Sequence, residues 1–198
     1  MKTRTLALIA SATMLAPSAN ANFHFFDIQE VFSNLDGSVQ FIELFTPSLG
    51  QEVVGNKTIT LEVATTSSVL NTFTFPNANG PSPTTNKTYL IGTSNLTALY
   101  GVTPDYVIPA NFFQVAGGFS NRQLNFAGVD IVNLLNLPLN GVGSLNGITT
   151  NATSTATSIN AQATPRNFAG QTATIPEPVA AGLLGFGLLA LLNRRRRS

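Results

Sequence analysis

The chain has 198 residues, of which 43% are hydrophobic and 10% charged, against about 25% charged residues in a typical soluble protein. It contains no cysteine and one histidine, which excludes a disulfide framework and a tetrahedral zinc site of Cys and His ligands. Six of the ten basic residues lie near the two ends, and residues 22–174 carry four basic against eight acidic residues, which argues against nucleic-acid binding.

The first predicted element is a signal helix over residues 1–21. Its parts are a basic start, an apolar run and a small-x-small cleavage site: Lys2 and Arg4, Leu6–Leu15, and Ala19 with Ala21. This order is typical of a secretory signal peptide that passes the Sec translocon and is cut by signal peptidase. We therefore expect the mature chain to begin at Asn22. The alternative, a membrane anchor, needs a longer apolar run.

Residues 22–146 alternate short apolar runs with turn residues, a pattern that predicts antiparallel strands. Asp36-Gly37 predicts a hairpin turn between the first two strands, and Asn95–Tyr100 predicts a short helix ended by Gly101. The predicted strands are Phe23–Phe32, Ser38–Thr46, Lys57–Val63, Val69–Phe75, Lys87–Thr93, Arg122–Phe126 and Val129–Leu134. About seven short strands favour an all-β fold, a β-sandwich whose core consists of β-branched, Leu and Phe side chains.

Residues 147–174 have a different composition. Nineteen of these 28 residues are Thr, Ala, Asn or Ser, and none is acidic. Such a segment lacks the apolar content that would repay the entropy cost of ordering. We therefore predict a flexible stalk that holds the folded domain clear of a membrane.

The last predicted element, residues 175–198, combines three features in a fixed order. They are the motif Pro176, Glu177 and Pro178, the apolar stretch Val179–Leu192, and the basic cluster Arg194, Arg195, Arg196 and Arg197. The fourteen apolar residues predict a transmembrane helix about 21 Å long, shorter than a hydrocarbon core of about 30 Å. The arginines would stop the chain at the cytoplasmic side, which leaves everything before Ile175 outside.

This C-terminal segment resembles the PEP-CTERM sorting signal of Gram-negative bacteria. The resemblance implies an exosortase-type processing enzyme that recognises the Pro-Glu-Pro motif and removes the helix and the arginines. It also implies transient anchoring in the inner membrane, delivery to the cell surface or outside the cell, and an association with extracellular polysaccharide. The alternative is a permanent tail anchor in which the prolines form a rigid spacer.

The body of the chain resembles a second family, the lamin-tail-like domains. The resemblance rests on "IQEVFSNLDGSVQFIELFTP" (Ile28–Pro47), "YLIGT", "ALYGVTPDYVIP" and "AGVDIVNLLNLPLNGVGSLN" (ending at Asn146). It implies an immunoglobulin-like β-sandwich that serves as a binding or scaffolding module. Thr46 stands where family members usually carry Asn or Asp, so no role is transferred to that side chain.

Two acidic residues are the strongest candidates for chemistry. If Asp36-Gly37 is a two-residue turn, Glu30 lies opposite Glu43, each on an otherwise apolar strand face. Such a pair could share a proton, bind a cation such as Ca²⁺, or act as acid and base of a glycosidase. Alternatively, a register shifted by two residues separates them, or each accepts hydrogen bonds from Arg122, Lys57 or backbone N–H groups. We favour these structural alternatives, because residues 34–37 could equally form a four-residue loop.

The remaining candidates are weaker. His24 is the only histidine and lies near the predicted cleavage point, so we assign it no catalytic role. We predict no catalytic residue, no metal and no cofactor. The expectation is an exported, exosortase-processed, non-enzymatic binding or structural protein. The alternative is an exported carbohydrate-active or phosphodiester-cleaving enzyme that uses Glu30 and Glu43.

Overall fold

The computed structural model describes residues 23–116, 118–146, 158–160 and 162–175. Within these residues the chain forms two β-sheets and one short helix, α1 (Asn95–Tyr100). The strands are β1 (Asp27–Ser33), β2 (Gln40–Thr46), β3 (Thr58–Val63), β4 (Ser68–Thr74), β5 (Lys87–Gly92), β6 (Tyr106–Val107), β7 (Arg122–Phe126), β8 (Asp130–Asn133), β9 (Ser144–Asn146) and β10 (Ser158–Asn160). The two sheets share one hydrophobic core, so the prediction of an all-β sandwich is confirmed.

The larger sheet has six strands in the order β10-β9-β1-β2-β5-β6. Neighbouring strands pair antiparallel, except β5 and β6, which pair parallel. A bulge at Gln29 shifts the pairing of β1 with β2 between Ile28 and Glu30. Ile28 and Val31 lie three positions apart, so regular alternation would place them on opposite faces of the sheet. Because the bulge adds one residue, both side chains reach the core between the sheets.

The smaller sheet has four strands in the order β4-β3-β7-β8, all paired antiparallel. Its strands show the alternation expected of a sheet with one buried face. Apolar side chains of the two central strands enter the common core: Ile59, Leu61, Leu124 and Phe126. The residues between them are polar and form the outer face of this sheet: Thr58, Thr60, Glu62, Gln123 and Asn125.

A second apolar cluster lies on the other face of the six-stranded sheet. It consists of Phe32, Val39, Phe41, Leu90, Leu96, Val102, Ala163 and Ile175, all 0–1% exposed. The strand residues of this cluster are covered by α1, which supplies Leu96, and by the end of the described chain, which supplies Ala163 and Ile175. The six-stranded sheet is therefore packed on both faces.

The covering segment is a short hairpin, residues 163–175, which we call the C-terminal hairpin. Its two arms are joined by backbone hydrogen bonds from Ile175 to Ala163 (2.9 Å), from Ala173 to Pro165 (3.2 Å) and from Asn167 to Gln171 (3.1 Å). Strand β10 also lies within residues 147–174 and pairs with β9. The prediction of a flexible stalk is therefore wrong for residues 158–160 and 162–174. A few apolar side chains are enough to order such a segment when they can pack on an apolar face of a sheet.

Most predicted elements occur close to their predicted places. The helix has the predicted bounds, and Gly101 ends it with a left-handed φ of 73°. β7 also has the predicted bounds, whereas β1 begins at Asp27 and not at Phe23. Strands β6, β9 and β10 are not predicted from the sequence, because they have only two or three residues each and no visible period.

Several predictions concern residues outside the described ranges: the signal helix, its cleavage site at Ala19 and Ala21, the Pro176–Pro178 motif, the apolar stretch Val179–Leu192, and the arginine cluster. Among the described residues, no helix has the length and apolar character needed to cross a membrane.

Candidate functional site

The structure places Glu30 and Glu43 directly opposite each other on β1 and β2. Their side chains are 3% and 2% exposed. The turn between the strands is wider than two residues, since Asn34 N donates to Val39 O (3.0 Å). The loop 35–38 is nevertheless centred on Asp36-Gly37, so it produces the same register as a two-residue turn. The shifted register, one of the alternatives that we favoured, is therefore wrong.

Local hydrogen bonds explain why the loop keeps this register. The side-chain Oδ1 of Asn34 accepts from Val39 N (3.0 Å), and its Nδ2 donates to Ser38 Oγ (2.9 Å). Asp36 Oδ1 accepts from Ser38 N (2.9 Å), as in an Asx turn. These residues close the loop symmetrically about its centre, and the pairing of the two glutamates follows from that symmetry.

The carboxylate pair lies on the outer face of the six-stranded sheet, beneath the C-terminal hairpin. Phe32 and Phe41 form the next pair on the same face of these two strands, and their ring centroids lie 5.4 Å apart. Ile28, expected beside Glu30, lies on the opposite face, because the bulge at Gln29 reverses the side-chain direction.

The hairpin supplies backbone donors to both carboxylates. Thr164 N donates to Glu30 Oε1 (3.0 Å), and Arg166 N donates to Glu43 Oε1. Within this arm, Ala163, Pro165 and Asn167 form the backbone hydrogen bonds to the opposite arm. Thr164 and Arg166 alternate with them, so their N–H groups point away from the opposite arm. Glu30 also accepts from the hydroxyls of Ser144 and Thr164. The alternative in which backbone N–H groups satisfy both acids is thus confirmed.

The two side chains proposed as other donors contact different groups. The guanidinium of Arg122 donates to the carbonyl oxygens of Phe113 (2.6 Å) and Gln114 and fastens the loop before β7. The ammonium of Lys57 lies over the ring of Phe23, 4.5 Å from its centroid. Neither residue neutralises the carboxylate pair through these contacts.

Burial dominates the protonation of the pair. Burial, and after it the neighbouring charge of Glu30, raise the pKa of Glu43 to about 8, against the N–H group and positive charge of Arg166. Burial also raises the pKa of Glu30, and donors from Ser144 and Thr164 oppose the shift. Because like charges on paired residues repel, ionisation of one carboxyl group makes ionisation of the other less favourable.

A proton-sharing pair is a suitable acid and base only where a substrate can reach it. Here both carboxylates are buried, and the hairpin covers them. Among the described residues, no group of three or more His, Cys, Asp or Glu side chains is placed to hold a metal ion. His24 lies exposed, stacked on the ring of Phe23 at 4.6 Å.

A second candidate site, missed in the sequence, lies on the outer face of the four-stranded sheet. It is a groove of about 400 Å³ lined by Asn56, Lys57, Thr58, Thr60, Glu62, Asn125, Ala127 and Gly128. Its volume falls within the range of about 300–1,000 Å³ typical of ligand sites. The alternation of Thr58, Thr60 and Glu62 in β3 was a visible signal, but only strand pairing adds Asn125 beside Thr60.

Glu62 lines this groove and is only 5% exposed. Its Oε1 accepts from Thr60 Oγ1 (2.6 Å) and Asn125 Nδ2 (3.0 Å), and its Oε2 accepts from Gln123 Nε2 (2.9 Å). Three neutral donors therefore fix one carboxylate in place on the outer face of a sheet.

Comparison of the chain with protein-family models, with curated proteins and with solved structures finds no match.

Proposed function

We propose that this chain is an exported bacterial protein of the cell surface or extracellular matrix, and that it acts as a non-enzymatic binding and structural module. In this proposal residues 1–21 direct export through the Sec translocon and are removed by signal peptidase. Residues 175–198 form a PEP-CTERM signal that holds the chain briefly in the inner membrane until an exosortase-type enzyme processes it. The order of leader, folded domain, Pro-Glu-Pro motif, apolar stretch and arginine cluster supports this route.

The finer fold assignment is part of the proposal. We propose that the sandwich is an immunoglobulin-like domain of the lamin-tail type, now extended beyond Asn146 by β10 and the C-terminal hairpin. Support comes from the β1–β2 hairpin, in which "IQEVF" and "QFIEL" pair as in the resemblance, and from the two sheets that share one core.

The observation that best supports a binding role is the groove around Glu62. A nearly buried acid that is held by three side chains is a preorganised acceptor, and it lies among hydroxyl and amide groups. Structural stability alone gives little reason to bury a carboxylate on the outer face of a sheet, where a neutral residue avoids the desolvation cost.

The chemistry of the groove favours a polyhydroxylated neutral ligand such as a polysaccharide. Threonine hydroxyls and asparagine amides both donate and accept, as sugar hydroxyls do. The charges of Lys57 and Glu62 have opposite sign, so the groove has no net attraction for phosphate or sulfate groups. None of the described residues that line it is aromatic, which disfavours base stacking and nucleic acid.

Binding can be tested on the full-length chain in detergent, with a neutral glucan oligosaccharide and a sulfated polysaccharide as probes. We expect calorimetry to detect the neutral glucan, and Glu62→Gln to weaken it by about tenfold or more, since hydrogen bonds to a charged group contribute about 1.5–3 kcal/mol. Asp36→Asn, which changes an exposed acid on the 35–38 loop, is the matched control. If neither probe binds, or if both variants bind equally, the groove is not the site.

The sorting route has its own test. Mass spectrometry of the protein isolated from its native host should find that the residues after the Pro-Glu-Pro motif have been removed. A chain that retains Arg194–Arg197 and resists carbonate extraction would be a permanently anchored protein, contrary to the proposal.

The carboxylate pair gives less support to the enzymatic alternative. Its raised pKa values suit general acid catalysis. However, the hairpin covers both acids, and a substrate would have to displace it. The pair is better explained by its contacts with the hairpin.

A further inference from the structure

We propose that the C-terminal hairpin is a pH-dependent lid, which stays seated while Glu30 and Glu43 share a proton and lifts when both are ionised. The lid itself is independent of the proposed function. Its consequence for processing rests on that function, because the hairpin ends one residue before Pro176, the start of the predicted sorting motif.

Two paired, buried carboxylates lie beneath the hairpin. Residues directly opposite each other on antiparallel strands have Cβ atoms about 4.5–5.5 Å apart. Glu30 and Glu43 occupy such a pair and are shielded from water by the hairpin. Two negative charges at that spacing repel strongly when buried, and lifting the hairpin would let water hydrate them.

The groups that face the pair come from the hairpin, from β9 and from β5. From the hairpin, the positive charge of Arg166 favours ionisation, but this side chain is exposed and therefore screened. From β9, Ser144 contributes a neutral hydroxyl, and from β5 the residue paired with Glu43 is the apolar Leu90. Among the described residues, the exposed Arg166 is the one positive charge that acts on the two carboxylates.

The hairpin also contacts the rest of the protein at its tip and at its base. At its tip, Phe168 N donates to Asp105 Oδ2 (2.9 Å), and Lys87 Nζ lies 4.9 Å from the Phe168 ring centroid. At its base, Ile175 is fully buried against the outer face of the sheet. These contacts hold the tip and the base and the carboxylates hold the middle, so the hairpin lifts only when repulsion within the pair outweighs all of them.

Opening of the hairpin would also change access to the chain that follows it. A processing enzyme binds its substrate as an accessible segment, and the seated hairpin holds Ile175 by a hydrogen bond from its N–H to Ala163 O (2.9 Å). When the lid lifts, residues upstream of Pro176 become available as well. The protonation state of the pair would thus control access to the sorting motif.

Arg166 offers a direct assay, because trypsin can cut the Arg166–Asn167 bond only when the hairpin leaves its paired form. In the seated state Arg166 is bridged to Thr172. The full-length chain in detergent is treated briefly with trypsin between pH 5.5 and pH 8. The rate of cleavage at this bond, read by mass spectrometry, is divided by the rate on an unstructured peptide of the same local sequence. When the hairpin opens and closes faster than trypsin cuts, the rate of cleavage follows the population of the open form.

We expect the normalised rate to rise by about tenfold per pH unit over this range in the wild-type chain, as proton linkage requires for one group. Glu43→Gln should remove the rise. Glu62→Gln, which changes a buried acid on the other sheet, should retain the rise in cleavage rate. Cleavage after Arg122 in β7 should stay slow throughout, since it reports unfolding of the whole domain.

The proposal is overturned if the wild-type rate does not change with pH, if Glu43→Gln keeps the rise, or if cleavage after Arg122 rises in parallel. Should Glu43→Gln fail to fold, hydrogen exchange of the Ala163, Ala173 and Ile175 amides in the wild-type chain decides instead. Their protection, corrected for intrinsic exchange, must fall as pH rises. Neither measurement depends on export, so a lid that fails this assay leaves the sorting test unaffected, and the reverse also holds.

Discussion

Replacing Glu43 by glutamine should make the protein more stable at pH 8 and remove most of the pH dependence of its unfolding. The pKa of Glu43 is raised from 4.5 to about 8 in the folded protein. An acid with a raised pKa stabilises the folded state fully below its unfolded pKa, and this contribution is lost as pH rises toward the folded pKa. Stability should therefore fall between about pH 4.5 and pH 8. The raised pKa of Glu30 acts in the same direction.

The expected magnitude follows from the size of the shift. Roughly 3.5 pH units at about 1.36 kcal/mol each correspond to nearly 5 kcal/mol. Opening of the hairpin lets water reach the pair before the whole domain unfolds, so we expect a loss of about 2–5 kcal/mol in the free energy of unfolding. Urea unfolding followed by far-ultraviolet circular dichroism at pH 5, 6, 7 and 8 measures it.

A double-mutant cycle separates repulsion within the pair from the burial of each acid. Glu30→Gln and Glu43→Gln should each raise stability at pH 8, and the double variant should gain less than the sum, because either change alone removes the repulsion. Glu62→Gln serves as the control. A wild-type stability that is flat or rises from pH 5 to pH 8, or additive gains in the cycle, would refute the reasoning.

Three further outcomes are expected. Ile175→Ala should cost about 2–4 kcal/mol in chemical unfolding, because Ile175 is fully buried, whereas Thr174→Ala, at an exposed neighbour, should cost little; equal effects would mean that the hairpin is not seated. Gly92→Ala should lower the melting temperature, because the new Cβ would lie 2.3 Å from Leu96 Cδ1 in a packed cluster; an unchanged value would show that the helix adjusts freely. Millimolar calcium should leave the melting temperature unchanged, because the hairpin covers the carboxylate pair; a clear rise would indicate a cation site there.

Much of the sandwich could be predicted from local pattern. Alternation in "TITLEV" and "RQLNF" predicts strands with one apolar face, and Gly101 predicts the end of the helix. The pairing of Glu30 with Glu43 could be predicted as one of two registers. Choosing between them required the loop hydrogen bonds of Asn34, which depend on the three-dimensional form of the turn.

Other features depended on residues far apart in the chain. The groove needs β3 beside β7, which brings Asn125 to Glu62 across 63 positions. The bulge at Gln29 moved Ile28 to the opposite face, and alternation in β1 alone did not indicate it.

By itself, the sequence determined the strands of four or more residues, the helix end and most of the apolar faces, because each depends on the spacing of residues within a few positions. Only the tertiary structure decided that residues 163–175 are ordered, since their composition predicts a stalk. Arg166 donates to Glu43 across 123 positions, and Ala163 and Ile175 are buried by a sheet formed elsewhere in the chain. A segment with few apolar side chains becomes ordered when another part of the protein supplies both an apolar surface and matching hydrogen-bond acceptors. The local sequence of the segment does not show whether such a surface is present.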